Sequence, residues 1–401
     1  MRKYFGTDGI RRIANTELTP ELVYKVAKAG AYVLSKHTDH APTIFIGRDT
    51  RISGTLIESA MTAGFLSYGA NVKMLGVMPT PAVAYLTKKF KADASVVISA
   101  SHNTFEFNGV KYFSNKGMKI PDELEEEIEE VMDSGKINEL TAVNDKIGTS
   151  EIATELLDEY VYFFRKNFEE DLEKLNRDDF VVAVDTANGA TSVVADKVFT
   201  VLGIKHHILN DSPNGININD GCGSTHLEML KQYVIDKKCS LGIAYDGDGD
   251  RCLAVDENGN EIDGDKIIAI ISQYLKSKEK LNKDTIVATV MSNLGLNKYA
   301  KQNELNFVQT KVGDRYVLEE MLKNGYNLGG EQSGHVICLD YNPTGDGILT
   351  SLMIIRAILE QGKKASEVAS IMKAYPQVLI NAKVSSDKKY DFDKDEEINQ
   401  Q

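Results

Sequence analysis

The chain has 401 residues, which is more than one hydrophobic core usually serves, so we expect about two to four domains. Its composition, 42% hydrophobic and 26% charged, is that of a globular protein and excludes a largely disordered chain. A net charge of -13, from 59 acidic and 46 basic residues, excludes nucleic acid and anionic membrane surfaces as expected partners.

Short apolar runs rich in β-branched residues recur along the chain and predict buried strands. They lie at 43–47, 70–77, 94–99, 180–185, 241–245 and 285–291. Helical patterns lie between them: the first is predicted to begin with Thr19 as N-cap and Pro20 at its first position, and the second to begin from Ser53 in the same manner. This alternation predicts α/β domains with parallel or mixed sheets, whose sites gather at the carboxyl ends of strands.

Two acidic stretches with a weak apolar pattern, at 121–140 and 167–179, divide the chain into sections. We predict domains at 1–150, 151–252 and 253–370, followed by a segment at 371–401. That last segment has too few apolar residues near its end to form a core, so we expect it to be only the start of a further unit.

The four cysteines are far apart and form no C-x-x-C pair, which favours reduced thiols over a disulfide framework or a zinc site. They are Cys222, Cys239, Cys252 and Cys338. The N-terminus lacks the apolar core of a signal peptide, and no apolar run is long enough to cross a membrane. We therefore predict a cytoplasmic protein.

Three aspartates separated by single glycines follow the apolar run at 241–245. Asp246, Asp248 and Asp250 would repel one another strongly unless a cation lay between them, and hard cations such as Mg²⁺ and Ca²⁺ take oxygen ligands. The intervening glycines allow a turn tight enough for the three carboxylates to converge on one ion. The alternative is a solvated acidic turn, which the apolar strand leading into the loop disfavours.

An EF-hand calcium loop is a second interpretation of the same stretch, since Glu257 falls at its twelfth position. The pattern is wrong in two respects: Arg251 stands where an EF-hand needs glycine, and the hairpin-like run at 252–262 stands where it needs a helix. Arg251 also bears on function, because a guanidinium beside a metal indicates that both bind a phosphate. The alternative for Arg251 is an ion pair with the aspartates.

Small polar residues, among them Ser101 and His102, follow the third apolar run. Ser101 could be a nucleophile at the end of this strand, or it could be a turn residue. No G-x-S-x-G motif occurs, so the nucleophile elbow of a hydrolase is excluded. A glycine-rich loop carries Glu331, Ser333 and His335, whose side chains suit the vicinal hydroxyls of a sugar, with a polar turn as the alternative.

Taken in this order, the stretches resemble the α-D-phosphohexomutases, and the resemblance runs from residue 3 to residue 384. The matching motifs are SASHN at 99–103, DGDGDR at 246–251, GGEQSGH at 329–335, GRDTRISG at 47–54, SPNGININDGCGSTH at 212–226 and MSNLG at 291–295. The resemblance implies three consecutive similar α/β domains with mixed sheets around a central cleft, followed by a smaller α+β domain. Of that fourth domain the sequence would contain only a truncated start.

The resemblance also implies a reaction. Ser101 would carry a phosphoryl group, donate it to glucosamine 6-phosphate, and recover one from the other end of the bound 1,6-bisphosphate. Glucosamine 1-phosphate, a precursor of cell-wall amino sugars, would be the product. One Mg²⁺ would be held by Ser101, Asp246, Asp248 and Asp250, with glucosamine 1,6-bisphosphate as activator and intermediate.

Further roles carry over from the family by resemblance alone. Arg11 and Arg251 would steady the transferring group, and Lys111 and His335 would be general acid/base candidates near the sugar hydroxyls. The substrate-binding residues would be His102, Lys311, Glu331 and Ser333. The implied partner is a small hexosamine phosphate, and the family includes homodimers.

Some positions bear on how closely this chain follows the family. Gln332 resembles the glucosamine branch more than the glucose/mannose branch. Thr104, Phe107 and Arg12 stand where the family usually has proline, aspartate or tyrosine, and glycine. The arginine-serine-glycine-threonine loop of the family's fourth domain does not occur, so another phosphohexomutase and a non-catalytic sugar-phosphate-binding protein stay open as alternatives.

Overall fold

The structure is a computed structural model that describes residues 3–6, 8–36 and 38–378. The described residues form three mixed sheets, which follow one another along the chain and are covered by helices. Most of the predicted final segment, 371–401, lies outside the described residues.

The first sheet has six strands. They are β1 (Ile10–Ile13), β2 (Thr43–Arg48), β3 (Asn71–Val77), β4 (Ala94–Ile98), β5 (Phe107–Ser114) and β6 (Ser150–Ile152). Its helices are α1 (Pro20–Leu34), α2 (Gly54–Tyr68), α3 (Thr80–Phe90) and α4 (Asp122–Asp133). The spatial order is β1-β5-β4-β2-β3-β6, in which β5 is antiparallel to both neighbours and the pairs from β4 to β6 are parallel.

The two helix starts predicted for this domain differ in their caps. The Thr19 side chain accepts a hydrogen bond from the Leu22 N–H and Pro20 begins α1, as predicted. Helix α2 begins at Gly54, but Ser53 makes no side-chain cap, so that prediction is wrong. The Ser53 backbone is already helical, and its hydroxyl instead accepts a hydrogen bond from the Asn108 amide at 2.9 Å.

The second and third sheets have five and four strands. The second contains β7 (Val181–Asp185), β8 (Lys205–Leu209), β9 (Leu241–Tyr245), β10 (Cys252–Asp256) and β11 (Glu261–Ile262), with helices α5 (Leu157–Glu173), α6 (Ala195–Val201) and α7 (Glu228–Lys237). The third contains β12 (Thr285–Thr289), β13 (Asn306–Thr310), β14 (Leu328–Gly330) and β15 (Val336–Cys338). The helices of this part are α8 (Gly264–Ser277), α9 (Leu294–Gln302), α10 (Asp314–Asn324), α11 (Gly347–Gln361) and α12 (Ala365–Ala369).

All three sheets share one arrangement, which places the loops that carry chemistry. The orders β5-β4-β2-β3, β10-β9-β7-β8 and β15-β14-β12-β13 correspond strand for strand. In each, a buried strand turns back into an antiparallel neighbour, at β4–β5, β9–β10 and β14–β15. We call these three turns the serine loop (99–107), the aspartate loop (246–251) and the sugar loop (331–335). Equivalent positions of three similar units therefore supply the three motifs.

The sheets do not break where the sequence boundaries were predicted. Strand β10 returns antiparallel onto β9, and β11 extends the same sheet to Ile262, ten residues past the predicted boundary at 252. Strand β6 joins the first sheet across residue 150. The boundary at 252 is wrong because the aspartate loop is a turn inside a hairpin and not the end of a domain.

One hydrophobic cluster extends through all three sheets. It includes Phe45 from β2, Val182 from β7 and Ile286 from β12, and helix α5 contributes aromatic side chains to it. All four cysteines are buried and unpaired. Of the helices that the structure describes, none has the length and apolar character needed to span a bilayer.

Candidate active site

A cavity of about 690 Å³ opens between the three domains, and residues from all three domains line it. Six of the predicted site residues form part of its wall: Arg11, Ser101, Asp250, Arg251, Glu331 and His335. The first two come from the first domain, the aspartate and its arginine from the second, and the last two from the third. The predicted loops therefore meet in one place.

Ser101 lies at the floor of this cavity in a backbone conformation that a non-glycine residue rarely adopts, with φ of 51°. Its side chain is buried, and its hydroxyl donates to Asp246 Oδ2 at 2.6 Å. The His102 Nδ1 atom lies 3.4 Å from the same hydroxyl. The serine loop of the first domain and the aspartate loop of the second domain thus touch through the predicted nucleophile.

A buried arginine holds the serine loop in this conformation. Arg51 is 1% exposed, and its guanidinium donates to four main-chain carbonyls of the loop. These belong to Ser101, Asn103, Thr104 and Phe107. Asp49 accepts the remaining Nε–H at 2.7 Å and so orients the guanidinium. The carbonyls of Thr104 and Phe107, two positions where the chain departs from the family, are therefore fixed by hydrogen bonds.

The second domain also grips the serine loop. The Asn219 side-chain amide donates to the carbonyls of Ser101 and Asn103, each at 2.9 Å. Asn219 is itself 2% exposed, and its N–H donates to the Ala187 carbonyl. Because these hydrogen bonds cross between domains, the strained conformation of Ser101 depends on how the first two domains pack.

The aspartate loop has the donor set of a site for a hard divalent cation. Asp246, Asp248 and Asp250 are all buried, and one carboxylate oxygen from each lies within 4.8 Å of the others. The Oδ1 atoms of Asp248 and Asp250 are buried without a hydrogen-bond partner among the described residues. Unpartnered carboxylate oxygens are costly to bury, and a cation between them would remove that cost. The three carboxylates therefore fit a metal ion.

The electrostatics of the loop are uneven. Burial, reinforced by the other two carboxylates, raises the pKa of Asp246 well above its usual range. Burial also acts to raise the pKa of Asp250, but the Lys111 ammonium and His335 outweigh it and hold that pKa low. The loop thus keeps a negative charge at Asp250, while Asp246 depends on a further positive charge to ionise.

The EF-hand interpretation fails on the position of Glu257. Its carboxylate accepts hydrogen bonds from the N–H and the hydroxyl of Ser366, at the far end of hairpin strand β10. Glu257 is therefore held by the segment that begins α12 and does not join the three aspartates.

Lys111 lies beneath the aspartate loop and not at the cavity wall. Its Nζ atom is 2.9 Å from Asp248 Oδ2, 3.2 Å from Asp8 Oδ2 and 3.7 Å from Asp250 Oδ2. Burial acts to lower the pKa of this ammonium, but the three carboxylates raise it well above its usual value. Lys111 is therefore a buried positive charge that balances the aspartates, and its role near the sugar hydroxyls stays a prediction.

The sugar loop divides into residues that face the cavity and residues that do not. Glu331 and His335 line it, whereas Ser333 is exposed and lies outside the wall. The Gln332 amide donates to Asp263 Oδ2 at 3.2 Å, which fastens the loop to the N-terminus of α8. The substrate-binding role of Ser333 stays a prediction.

His335 lies between two carboxylates, with Nδ1 3.6 Å from Asp250 Oδ2 and Nε2 3.5 Å from Asp314 Oδ2. Burial lowers its pKa, but these carboxylates outweigh burial and raise it. The Gly345 N–H opposes that shift, because it donates to Nε2 at 3.1 Å and needs that nitrogen free of a proton. The two carboxylates therefore favour the protonated imidazole, whereas the Gly345 N–H favours the form without a proton on Nε2.

The remaining predicted residues, Arg11, His102 and Lys311, differ in how close they lie to the cavity. Arg11 donates to Asp8 Oδ2 at 2.9 Å and to Asn103 Oδ1 at 3.0 Å, so it bridges the cavity rim and the serine loop. Burial, with help from Arg251 and Arg11, lowers the pKa of His102 to about 4, which keeps its ring neutral at pH 7. Lys311 is exposed and lies outside the cavity wall, with its Nζ atom 5.9 Å from the centre of the Tyr316 ring.

Comparisons with known proteins accord with this geometry. The alpha/beta/alpha domains I, II and III of the phosphoglucomutase/phosphomannomutase family match residues 2–139, 158–259 and 263–375. Phosphoglucosamine mutases of Ruminiclostridium cellulolyticum and Acetivibrio thermocellus are each 52% identical to the chain over 398 residues, covering 99% of it and 88% of their own length. The chain belongs to the phosphoglucosamine mutases. These enzymes are isomerases of the phosphohexomutase family.

Solved structures show the same fold at lower sequence identity. A phosphoglucomutase/phosphomannomutase family protein from Burkholderia thailandensis has a TM-score of 0.79 at 21% identity, over 92% of this chain and 80% of that one. Aspergillus fumigatus N-acetylphosphoglucosamine mutase, solved with GlcNAc-6P and magnesium, has a TM-score of 0.63 at 15% identity, over 94% and 81%. Members of the phosphohexomutase fold thus share the three-domain arrangement found here.

In this member of the phosphoglucosamine mutases, three residues that line the cavity were not predicted from the sequence: Asp8, Lys119 and Asp314. Lys119 donates to Asp8 of the first domain and to Asp314 Oδ2 of the third, the latter at 2.6 Å. All three line the cavity, and the two carboxylates raise the pKa of Lys119 despite its burial. Asp8 and Asp314 stand in the stretches FGTDGIR and KVGDRY, but a single charge in a glycine-containing loop does not by itself identify a contact between domains.

Proposed function

We propose that this chain interconverts glucosamine 6-phosphate and glucosamine 1-phosphate through a phosphoserine at Ser101 and a 1,6-bisphosphate intermediate. The observation that carries this proposal is the 2.6 Å hydrogen bond from the Ser101 hydroxyl to Asp246, on the floor of a cavity lined by Arg11 and Arg251. A nucleophile, a cation site and two guanidiniums in one cleft are the parts that phosphoryl transfer needs.

In the proposed forward reaction, the phosphoryl group on Ser101 Oγ passes to the 1-hydroxyl of glucosamine 6-phosphate. The phosphoryl group on the 6-oxygen then passes back to Ser101, which leaves glucosamine 1-phosphate and restores the phosphoserine. His335, one of the titratable groups at the cavity wall, is proposed to take the proton that the 1-hydroxyl loses and to return a proton to the 6-oxygen. Glu331 is proposed to accept hydrogen bonds from sugar hydroxyls at the same wall.

Mg²⁺ is proposed to bind Asp246, Asp248, Asp250 and an oxygen on Ser101. When bound, it supplies positive charge beside the phosphoryl oxygens. The buried unpartnered oxygens of Asp248 and Asp250 support this assignment.

A homodimer and a location in the cytoplasm belong to the same proposal. The four unpaired buried cysteines accord with a reducing compartment.

The test compares the unmodified chain with Ser101→Ala. We expect glucosamine 1-phosphate to form from glucosamine 6-phosphate, Mg²⁺ and a trace of the 1,6-bisphosphate only when Ser101 is present. Intact mass should show about one phosphate on the unmodified chain and none on the alanine variant. Ser59→Ala, which changes an exposed serine of the same domain, should keep both properties.

Two outcomes would contradict the proposal. Equal turnover by Ser101→Ala would exclude the serine as the phosphoryl carrier. A phosphorylated Ser101 without turnover would instead favour a sugar-phosphate-binding protein. Running glucose 6-phosphate and mannose 6-phosphate in parallel assays tests the substrate, since faster turnover of either would assign the chain to another branch of the phosphohexomutases.

A further inference from the structure

Asp248 receives three hydrogen bonds, and all three donors belong to the first domain. The Thr80 hydroxyl donates to Asp248 Oδ2 at 2.7 Å, and the Thr80 N–H donates to the Asp248 carbonyl at 2.9 Å. Lys111 donates to the same Oδ2 atom at 2.9 Å. Two donors on one oxygen fix the rotation of the carboxylate about its Cβ–Cγ bond.

This arrangement leaves one oxygen of Asp248 for a cation. With Oδ2 held by Thr80 and Lys111, Oδ1 is buried and has no hydrogen-bond partner among the described residues. If the Thr80 hydroxyl were absent, Lys111 alone would hold Oδ2, and the carboxylate could rotate to place either oxygen against the ammonium. The free oxygen would then no longer have a defined position.

Thr80 has no other evident task for its hydroxyl. It is the first residue of α3, follows Pro79, and is 0% exposed, so its side chain reaches neither solvent nor the cavity wall. Pro79 packs close to Gly249 of the aspartate loop, which keeps the start of α3 against that loop. The first domain therefore contributes a buried hydroxyl to a carboxylate of the second domain.

We propose that Thr80 is a positioning residue for the metal site, which sets the orientation of Asp248 and so the affinity for the divalent cation. The inference rests on the proposed function only in that the three aspartates bind a metal. Partners of metal-binding carboxylates are known to affect affinity strongly, because they fix the ligand before the ion arrives.

The test measures Mn²⁺ binding to the purified full chain without substrate, from the electron paramagnetic resonance signal of free Mn²⁺. Thr80→Val removes the hydroxyl while keeping the side-chain shape and the N–H bond to Asp248. We expect its dissociation constant for Mn²⁺ to rise roughly 10-fold to 100-fold. Thr80→Ser keeps the hydroxyl and should bind Mn²⁺ close to the unmodified level.

A matched control lies on the same helix. Thr87 is also 0% exposed, and its hydroxyl is hydrogen-bonded to the Val83 carbonyl and to the Ser95 hydroxyl, away from the aspartates. Thr87→Val should leave Mn²⁺ affinity unchanged, which separates a loss at the metal site from a general loosening of α3. If Thr80→Val does not fold, Thr80→Ala takes its place, because it also removes the hydroxyl and adds no methyl group. It should raise the dissociation constant for Mn²⁺ by the same factor.

The outcomes separate this inference from the metal site itself. If Thr80→Val binds Mn²⁺ as tightly as the unmodified chain while Asp248→Asn does not, the positioning role is wrong and the metal site stands. Equal weakening by Thr80→Val and Thr87→Val also overturns the positioning role. If the unmodified chain does not bind Mn²⁺, or Asp248→Asn binds it equally well, the metal site and the inference both fall.

Discussion

The guanidinium of Arg51 is the single group on which the shape of the serine loop depends most. It donates to four loop carbonyls and to Asp49, and Ser99 donates to the same Asp49 oxygen at 2.6 Å. The Ser99 hydroxyl in turn accepts the Ser101 N–H at 2.9 Å. The strained backbone at Ser101 is therefore fixed at both its N–H and its carbonyl by one connected network.

We expect Arg51→Lys to lower kcat by roughly 10-fold to 100-fold, because a lysine has three donors on one atom and cannot reach four carbonyls, so the nucleophile shifts. Hydrogen exchange at the amides of 101–107 should become faster in the same variant. Arg48→Lys is the matched control, since Arg48 pairs with Glu58 and makes no hydrogen bond or ion pair with the serine loop among the described residues. Unchanged kcat and unchanged hydrogen exchange in Arg51→Lys would show that the serine loop keeps its conformation without the guanidinium.

The sequence predicted the reacting groups better than their supports. Ser101 and the three aspartates each stand in a short motif directly after an apolar strand, so local pattern was sufficient to place them. Arg51, Asn219 and Thr80 act through contacts between residues 50 to 168 positions apart in the chain. Such contacts leave no periodicity or spacing in the sequence. The prediction for Lys311 rested on resemblance alone, and that for Ser333 also on its hydroxyl in a glycine-rich loop; neither residue lines the cavity.

At the scale of elements, the six apolar runs predicted as strands match β2, β3, β4, β7, β9 and β12 to within two residues at either end, because apolar runs are bounded by polar loops. Other strands, such as β5 and β13, were not predicted. The run at 285–291 ends early, at Thr289, since Val290 is 60% exposed. Helix α5 was missed as a core element. Its second half was counted in the acidic divider at 167–179, whereas Tyr160, Phe163 and Phe164 of its first half, with Phe168, form a buried aromatic face that packs between the domains.

Helix α5 also makes a polar contact across domains, which gives a pH-dependent prediction. The Tyr160 hydroxyl donates to Asp346 Oδ2 at 2.8 Å, where Asp346 caps α11. Burial raises the pKa of Asp346 to about 6, although the hydrogen bonds it accepts act to lower it. Because the folded-state pKa lies above the unfolded value of about 3.9, stability from this carboxyl is greatest at low pH and is lost as pH rises through 6.

We expect Tyr160→Phe to lower the free energy of unfolding by about 1 to 2 kcal/mol at pH 7.5, because an ionised buried carboxylate loses a donor. The loss should be smaller at pH 5, where Asp346 is protonated in the folded state. Thermal melts at the two pH values measure this difference, with Tyr162→Phe as control, since Tyr162 is 55% exposed on the same helix. An equal loss at both pH values would show that the hydroxyl does not interact with a charge.

At the scale of the whole molecule, the three domains share one core. The largest cluster of buried apolar residues takes side chains from β2, β7 and β12 and surrounds α5. Phe164, at the middle of α5, is 0% exposed and has ring contacts with Tyr160, Phe163 and Phe168. A helix buried in this way couples the domains, so local unfolding of one sheet would expose apolar surface of the next. Such coupling suits a site whose serine, aspartates and sugar loop each come from a different sheet.

We therefore expect the described part of the chain to unfold in one cooperative thermal transition, with calorimetric and van't Hoff enthalpies in agreement. Phe164→Ala should destabilise that whole transition by about 3 to 5 kcal/mol, because it leaves a cavity where the domains meet. Differential scanning calorimetry measures both quantities, and Tyr162→Ala controls for loss of an aromatic ring on the exposed face of α5. If the domains were independent, several transitions would be resolved and Phe164→Ala would move only one of them, in which case the alignment of Ser101 with Asp246 would depend on their polar contacts alone.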